Sequence, residues 1–224
     1  AVDGDTLVVG APWADGHFPD TGAAYVYERD ASGAWQHRAT VRPSTSHADE
    51  MFFGQRVAIS GSTIVVAAPV ADDETGTSPT GAVYVYVRDA VSGVWGLEQV
   101  LRHANQSTFI YFGGDVAIDG DMLVVGAPWE NSGATGVEGD ESDTSAPSSG
   151  AAYVYVRAGG SWTRQAYLKA SNTGSSDFFG QRVDASGNRA IVGAPLEDND
   201  DANNDNAGAA YVFVRDTATG TWAQ

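Results

Sequence analysis

One passage of sequence is written four times along this chain of 224 residues, and that repetition limits the fold more than any other feature. In its clearest copy, Phe53-Gly54 opens a strand that runs to Ser60-Gly61. A second strand, Ile64-Val65-Val66, then ends at Ala67-Ala68-Pro69. After a polar loop, Gly81-Ala82-Val83-Tyr84-Val85-Tyr86-Val87 forms a third strand, and a fourth begins at Val94-Trp95. Phe112-Gly113, Gly126-Ala127-Pro128, Tyr153-x-Tyr155 and Trp162 repeat the passage, and so do Phe179-Gly180, Gly193-Ala194-Pro195, Tyr211-x-Phe213 and Trp222. Another copy opens the chain with Gly10-Ala11-Pro12, Tyr25-x-Tyr27 and Trp35; Ala1 aligns with Ala58, so this copy lacks its Phe-Gly.

The local chemistry specifies short antiparallel strands. Asp3-Gly4, Ser60-Gly61, Asp119-Gly120 and Ser186-Gly187 mark tight hairpins, where glycine accepts positive φ at little cost. Leu7-Val8-Val9 and its counterparts are continuous apolar runs, which predicts strands buried on both faces. Each ends at a proline, which cannot donate to a ladder. The third strand alternates, with its aromatics on one face. Asp30 to Gly33, Asp89 to Gly93 and Asp216 to Gly220 read as structural hairpins leading to Trp35, Trp95 and Trp222, one packing anchor per repeat. No helical period recurs. A four-stranded unit of this size cannot bury both faces alone and must stack on its neighbours, so the predicted fold class is all-β: a β-propeller of four-stranded antiparallel blades, at approximately 1–44, 45–103, 104–170 and 171–224.

These words resemble the FG-GAP repeat, the blade of the integrin α-subunit propeller, in its bacterial or archaeal short-hairpin form. The resemblance spans the whole chain. It implies seven blades, an extracellular or cell-surface address, and adhesion or ligand binding on one face. Seven such blades need roughly 400 residues. The expectation is therefore a segment of a longer propeller, with a four-bladed ring carrying an open seam second and assembly with a second chain third. The integrin calcium cage does not carry over, because the joint it occupies is here a two-residue turn and calcium needs six to eight oxygens.

Function is expected in the connections from each proline to the next Gly-Ala, at 13–21, 70–80, 129–149 and 196–207. They vary while the strands keep their spacing, and longer loops add little closure cost. In the family fold this rim faces the ligand, beside the links at 45–50, 104–108 and 171–177. Candidate rim residues are Trp13, Asp15, Asp72, Asp73, Trp129 and Glu130. The two tryptophans offer either an aromatic platform for a sugar or partner, or packed rim residues. Asp198, Asp200, Asp201 and Asp205 are hard oxygen ligands suited to Ca2+; the alternative is a solvated acidic turn. Asn105 heads a glycosylation sequon.

The net charge of −17 argues against nucleic acid and anionic membranes as partners, and no apolar run is long enough for a membrane-spanning helix. The acidity is read either as adaptation to salt or divalent cations, or as a plain acidic extracellular surface. His17, His37, His47 and His103 have no metal spacing, and neither a nucleophile elbow nor a phosphate loop occurs, so catalysis is not expected. The expected function is an extracellular binding module for a protein or glycan. Two alternatives stand beside it: a structural subunit of a surface layer, stalk or filament packing on copies of itself, and a non-catalytic accessory domain of a secreted hydrolase.

Overall fold

A computed structural model describes residues 1–15, 20–43, 52–72, 79–104, 109–198 and 206–224. These form sixteen strands in four antiparallel sheets, without a helix among the described residues. The chain divides into two compact units, Ala1–Thr108 and Phe109–Gln224.

The first unit holds two sheets. One is β1 (Val2–Asp3), β2 (Thr6–Ala11), β3 (Ala23–Arg29) and β4 (Trp35–Val41). The other is β5 (Arg56–Ser60), β6 (Thr63–Ala68), β7 (Ala82–Arg88) and β8 (Trp95–Leu101). Within each sheet, strands follow chain order. Val8, Ala24 and Val26 of the first sheet and Phe53, Ile64, Val66, Tyr84 and Tyr86 of the second share one buried cluster.

The second unit repeats the plan. Its sheets are β9 (Asp115–Asp119), β10 (Met122–Ala127), β11 (Ala151–Ala158) and β12 (Ser161–Leu168), then β13 (Arg182–Ser186), β14 (Arg189–Ala194), β15 (Ala209–Arg215) and β16 (Trp222–Ala223). Met122, Val124, Ala152 and Val154 pack with Phe179, Val192, Tyr211 and Phe213.

Two glycine positions explain the repeated words. In each Phe-Gly, the glycine is the third residue of a tight turn closed by the Gln55 N–H on Phe52 O at 2.9 Å or the Gln181 N–H on Phe178 O at 3.0 Å. Its φ of 93° at Gly54 and 87° at Gly180 is the left-handed value that this position of a type II turn demands. The glycine of Gly-Ala-Pro answers a different need. A Cβ on Gly10 would overlap the Gly54 carbonyl oxygen, and one on Gly126 would overlap that of Gly180. Each therefore lets the next sheet's Phe-Gly backbone press against its strand. The seam is completed by parallel bridges from Gly22 to Phe53 and from Gly150 to Phe179. Both phenylalanines are buried, Phe53 edge-on to Tyr84 at 5.1 Å and Phe179 against Tyr211 at 5.4 Å.

Two expectations need correction. Only β6 and β10 are buried along their whole length; β2 and β14 each bury one face, leaving Val9 and Ile191 open. The tryptophan anchor is also unequal. Trp162 and Trp222 are buried, and Trp222 Nε1 donates to Gln165 on the preceding sheet at 3.2 Å. Trp35 is exposed, with the Arg29 guanidinium 5.6 Å from its ring centroid.

Candidate functional site

In the first three sheets the residue just after the fourth strand aims a cation at the connection from the second strand to the third. Arg42 donates to Asp15 O at 3.1 Å and Gly22 O at 3.3 Å. Arg102, at the equivalent position, donates to Asp72 O. In the third sheet that position is Lys169, the sole lysine, and it is completely buried. Lys169 Nζ donates to Glu130 Oε2 at 2.8 Å, to Ser149 Oγ at 2.8 Å and to Gly150 O at 2.7 Å, which uses all three protons. Burial lowers its pKa and the Glu130 carboxylate opposes that fall.

This ion pair is the root of an ordered loop, residues 129–149. The Ser132 N–H donates to Glu130 Oε1 at 2.8 Å, and Ser149 Oγ donates to Ser132 O at 2.8 Å. The Gly133 N–H donates to Asp143 Oδ2 at 2.8 Å, and the Ser148 N–H to Asn131 Oδ1 at 2.8 Å. The loop also lies along the free edge of β12. The Glu138 N–H donates to Tyr167 O at 2.9 Å and the Lys169 N–H to Gly136 O at 2.8 Å, while Arg164 pairs with Glu141. Glu130 is thus held inside the unit.

On top of the loop root stands an aromatic ledge. Trp129 is 40% exposed and stacks on Tyr111, with centroids 4.8 Å apart and planes at 25°. Phe109 meets Trp129 edge-on at 5.1 Å. Tyr111 is held at φ 58°, a conformation that bulky residues avoid, and the equivalent Phe52 and Phe178 share it at 67° and 54°. In the other unit Trp13 is 66% exposed and meets Phe52 edge-on at 4.5 Å.

The fourth sheet carries a second buried polar cluster. Glu197 is fully buried; its Oε1 accepts from Asn172 Nδ2 at 2.9 Å, and its Oε2 lies 2.8 Å from the Tyr211 hydroxyl donor. Asp177 accepts the Gly174 N–H at 2.6 Å. Burial pushes the Asp177 carboxyl up to about 6 against that N–H, with Glu197 and Asp198 adding to the rise.

The structure therefore brings Trp129 to an open ledge and Glu130 to a buried root. Asp15 accepts the Asp20 N–H at 3.3 Å, Asp72 bridges to Pro79, and Asp198 is half-buried beside Asp177. Asp73, Asn105, Asp200, Asp201 and Asp205 lie outside the described residues. Among the described residues no cluster of three or more His, Asp or Glu is placed to hold a metal. Sequence reasoning missed Lys169, Tyr111 and Asp177 as parts of these sites. The singularity of Lys169 was the one available signal.

Comparison with known proteins bears on the family. The FG-GAP repeat profile matches residues 1–27, 35–86, 95–155 and 162–213. No curated protein matches the chain. Among solved structures, the crystal structure of a protein from Lactobacillus plantarum is similar at 12% identity and a TM-score of 0.39, over 90% of this chain and 63% of that one. The chain thus spans less than two thirds of the length of that protein. The four matched segments cover most of the chain, and the last three each run from the fourth strand of one sheet through the first three strands of the next, so the chain belongs to the FG-GAP repeat family, and its sheets are β-propeller blades.

Proposed function

We propose that this chain is a non-catalytic, extracellular binding module that recognises a glycan or protein through its proline-to-glycine loops, with the ledge of Trp129, Tyr111 and Phe109 as the contact surface. The observation that carries this reading is an exposed tryptophan stacked on a second ring and rooted on a buried ion pair. A large apolar surface held rigid loses little side-chain entropy when a ligand covers it, and a sugar's apolar face or a partner's side chain is suited to it. The loop that begins at Trp129 also carries Asp140, Glu141 and Asp143, carboxylates that can accept from hydroxyl or amide donors.

The test is a glycan array together with a pull-down from cell-surface extract, followed by calorimetry on the best ligand. Trp129→Ala is expected to weaken binding by about tenfold to a hundredfold, the range for an aromatic anchor of about 1.5–3 kcal/mol. Trp13→Ala, in the other unit, is the control. Equal binding by wild type and Trp129→Ala overturns the reading.

A further inference from the structure

Each unit has a cleft where the fourth strand of one sheet faces the tryptophan hairpin of the next, and the two clefts are furnished differently. In the second unit a glutamine crosses it. Gln165 is the extra residue of the bulge in β12, between Arg164, opposite Tyr155, and Ala166, opposite Val154. Its Oε1 accepts from Trp222 Nε1 at 3.2 Å, and Trp222 is buried. Its Nε2 faces the hairpin glycine: a Cβ built on Gly220 would stand 3.6 Å from Gln165 Nε2 and 3.8 Å from Arg215 Nη2.

The same places in the first unit hold Arg38, at the bulge of β4, with Trp95, Gly93 and Arg88. A guanidinium only donates, so Arg38 cannot take over from Gln165. Trp95 Nε1 is shut off from solvent and has no acceptor among the described residues. The cleft here is about 650 Å³, lined by Glu28, Arg38, Thr40, Arg88, Val94 and Trp95. Glu28, where the third sheet has Val156, pairs with Arg88 at 2.7 Å and with Arg38 at 3.5 Å. A guanidinium carries five N–H donors, so one carboxylate does not exhaust two of them. Where Gly220 faces an amide, Gly93 faces only its own hairpin arginine, with Arg88 Nη2 3.4 Å from a built Cβ.

We propose that this cleft of the first unit is a binding site for a glutamate side chain of an acidic peptide, whose carboxylate takes the place that the Gln165 carboxamide holds in the second unit. Glutamate has the shape of glutamine, so one oxygen accepts from Trp95 Nε1 as Gln165 Oε1 does from Trp222. The other oxygen stands where the amide nitrogen would be and accepts from Arg88, a charge-assisted bond that an amide nitrogen cannot make. Arg38, with its side chain 53% exposed, moves aside to open the indole and then closes over the carboxylate. The ligand supplies the acceptor whose absence leaves a buried donor unsatisfied. Two guanidinia against one carboxylate make the cleft locally positive on a chain of net charge −17, and this selects an acid over an amide. The volume suits one side chain with its flanking backbone. The site lies in the other unit from the Trp129 ledge and stands independently of it.

The probe is the peptide acetyl-Gly-Glu-Gly-amide, titrated into the isotope-labelled 224-residue chain and followed by NMR. A saturable downfield shift is expected at the Trp95 indole N–H, with smaller shifts at the Gly93 and Val94 amides. The glutamine counterpart of the peptide is expected to bind at least fivefold more weakly. Arg38→Gln is the decisive variant. It rebuilds the Gln165 arrangement within the chain, so the melting temperature should hold or rise while peptide binding weakens at least tenfold. Trp95→Phe keeps a ring in place and removes the donor, and it should weaken binding at least threefold by the Gly93 shift. No saturable indole shift at tens of millimolar peptide overturns the proposal, as does equal binding of the glutamine peptide or binding indifferent to Arg38→Gln. Tighter binding of galacturonate than of the peptide also overturns it, by making an acidic sugar the occupant.

Discussion

Lys169 has two relatives in its own chain, the exposed Arg42 and the half-buried Arg102, which hold loop carbonyls. Lys169 is fully buried and meets a carboxylate. A buried charge is tolerated only when it is paired and its protons are used, and Lys169 meets both conditions. Removing one partner leaves the other charged and stranded. Lys169→Met is therefore expected to destabilise the second unit by about 3–5 kcal/mol, and Glu130→Gln by a comparable amount. The double variant Lys169→Met with Glu130→Met should recover most of the loss, because neither charge then remains to be desolvated. Urea unfolding midpoints for the four proteins test this. Additive losses in the double variant would show that the pair does not act as a unit. The same variants should loosen the ledge, so Trp129 fluorescence should shift before global unfolding begins in Lys169→Met.

The elements were legible in the sequence to the extent that they are set by local rules. All four tight hairpins are where Asp-Gly and Ser-Gly place them, with the first loop glycine at φ 54–59°. The Asp-headed turns also appear as hydrogen-bonded hairpins. The Asp30 carboxylate accepts from the Ser32 hydroxyl at 2.6 Å, the Ala34 N–H at 3.0 Å and Gln36 Nε2 at 3.1 Å, which together lower its pKa to about 2. Its folded pKa lies below the usual 3.8, so the turn's contribution is complete above that value and is lost as pH falls through about 2. An NMR titration should place the Asp30 midpoint more than one unit below that of an unstructured aspartate, and Asp30→Ala should flatten the acid limb of the stability curve. What was not legible depends on contacts between sheets. The Asp3 carboxylate accepts the Gly61 N–H at 2.6 Å, and Asp119 accepts the Gly187 N–H at 2.6 Å, but nothing at either position in the sequence distinguishes them from ordinary turn aspartates. Likewise Trp35 and Trp222 occupy the same place in the repeat and differ in burial: Trp222 meets Gln165 of the sheet before it, whereas Trp35 lies over Arg29 of its own sheet. Glu130 read as a rim ligand because its loop is polar, and its partner Lys169 is 39 residues away.

At the scale of the whole molecule, the dominant physical quantity is the charge, −17 on 224 residues, carried largely by aspartates in turns and loops. The apolar clusters that hold each pair of sheets together must work against this self-repulsion. Its strength depends on ionic strength, because the Debye length falls from about 30 Å at 0.01 M to about 3 Å at 1 M. At the low end of that range charges across a whole unit feel one another, and at the high end only near neighbours do. The melting temperature is therefore expected to rise by several degrees between 0.01 M and 1 M NaCl, where about 1 kcal/mol corresponds to roughly 2–4 °C for a chain of this size. Screening and cation binding are separable. If Ca2+ occupies the acidic loop that begins at Glu197, millimolar CaCl2 should raise the melting temperature beyond MgCl2 at equal ionic strength, and Asp198→Asn should remove the difference. Coincident CaCl2 and MgCl2 curves would assign the whole effect to screening and leave the loop as a solvated turn. A melting temperature flat across the NaCl series would mean that the aspartates are far enough apart, or sufficiently held by their own turn N–H donors, for their mutual repulsion not to limit stability.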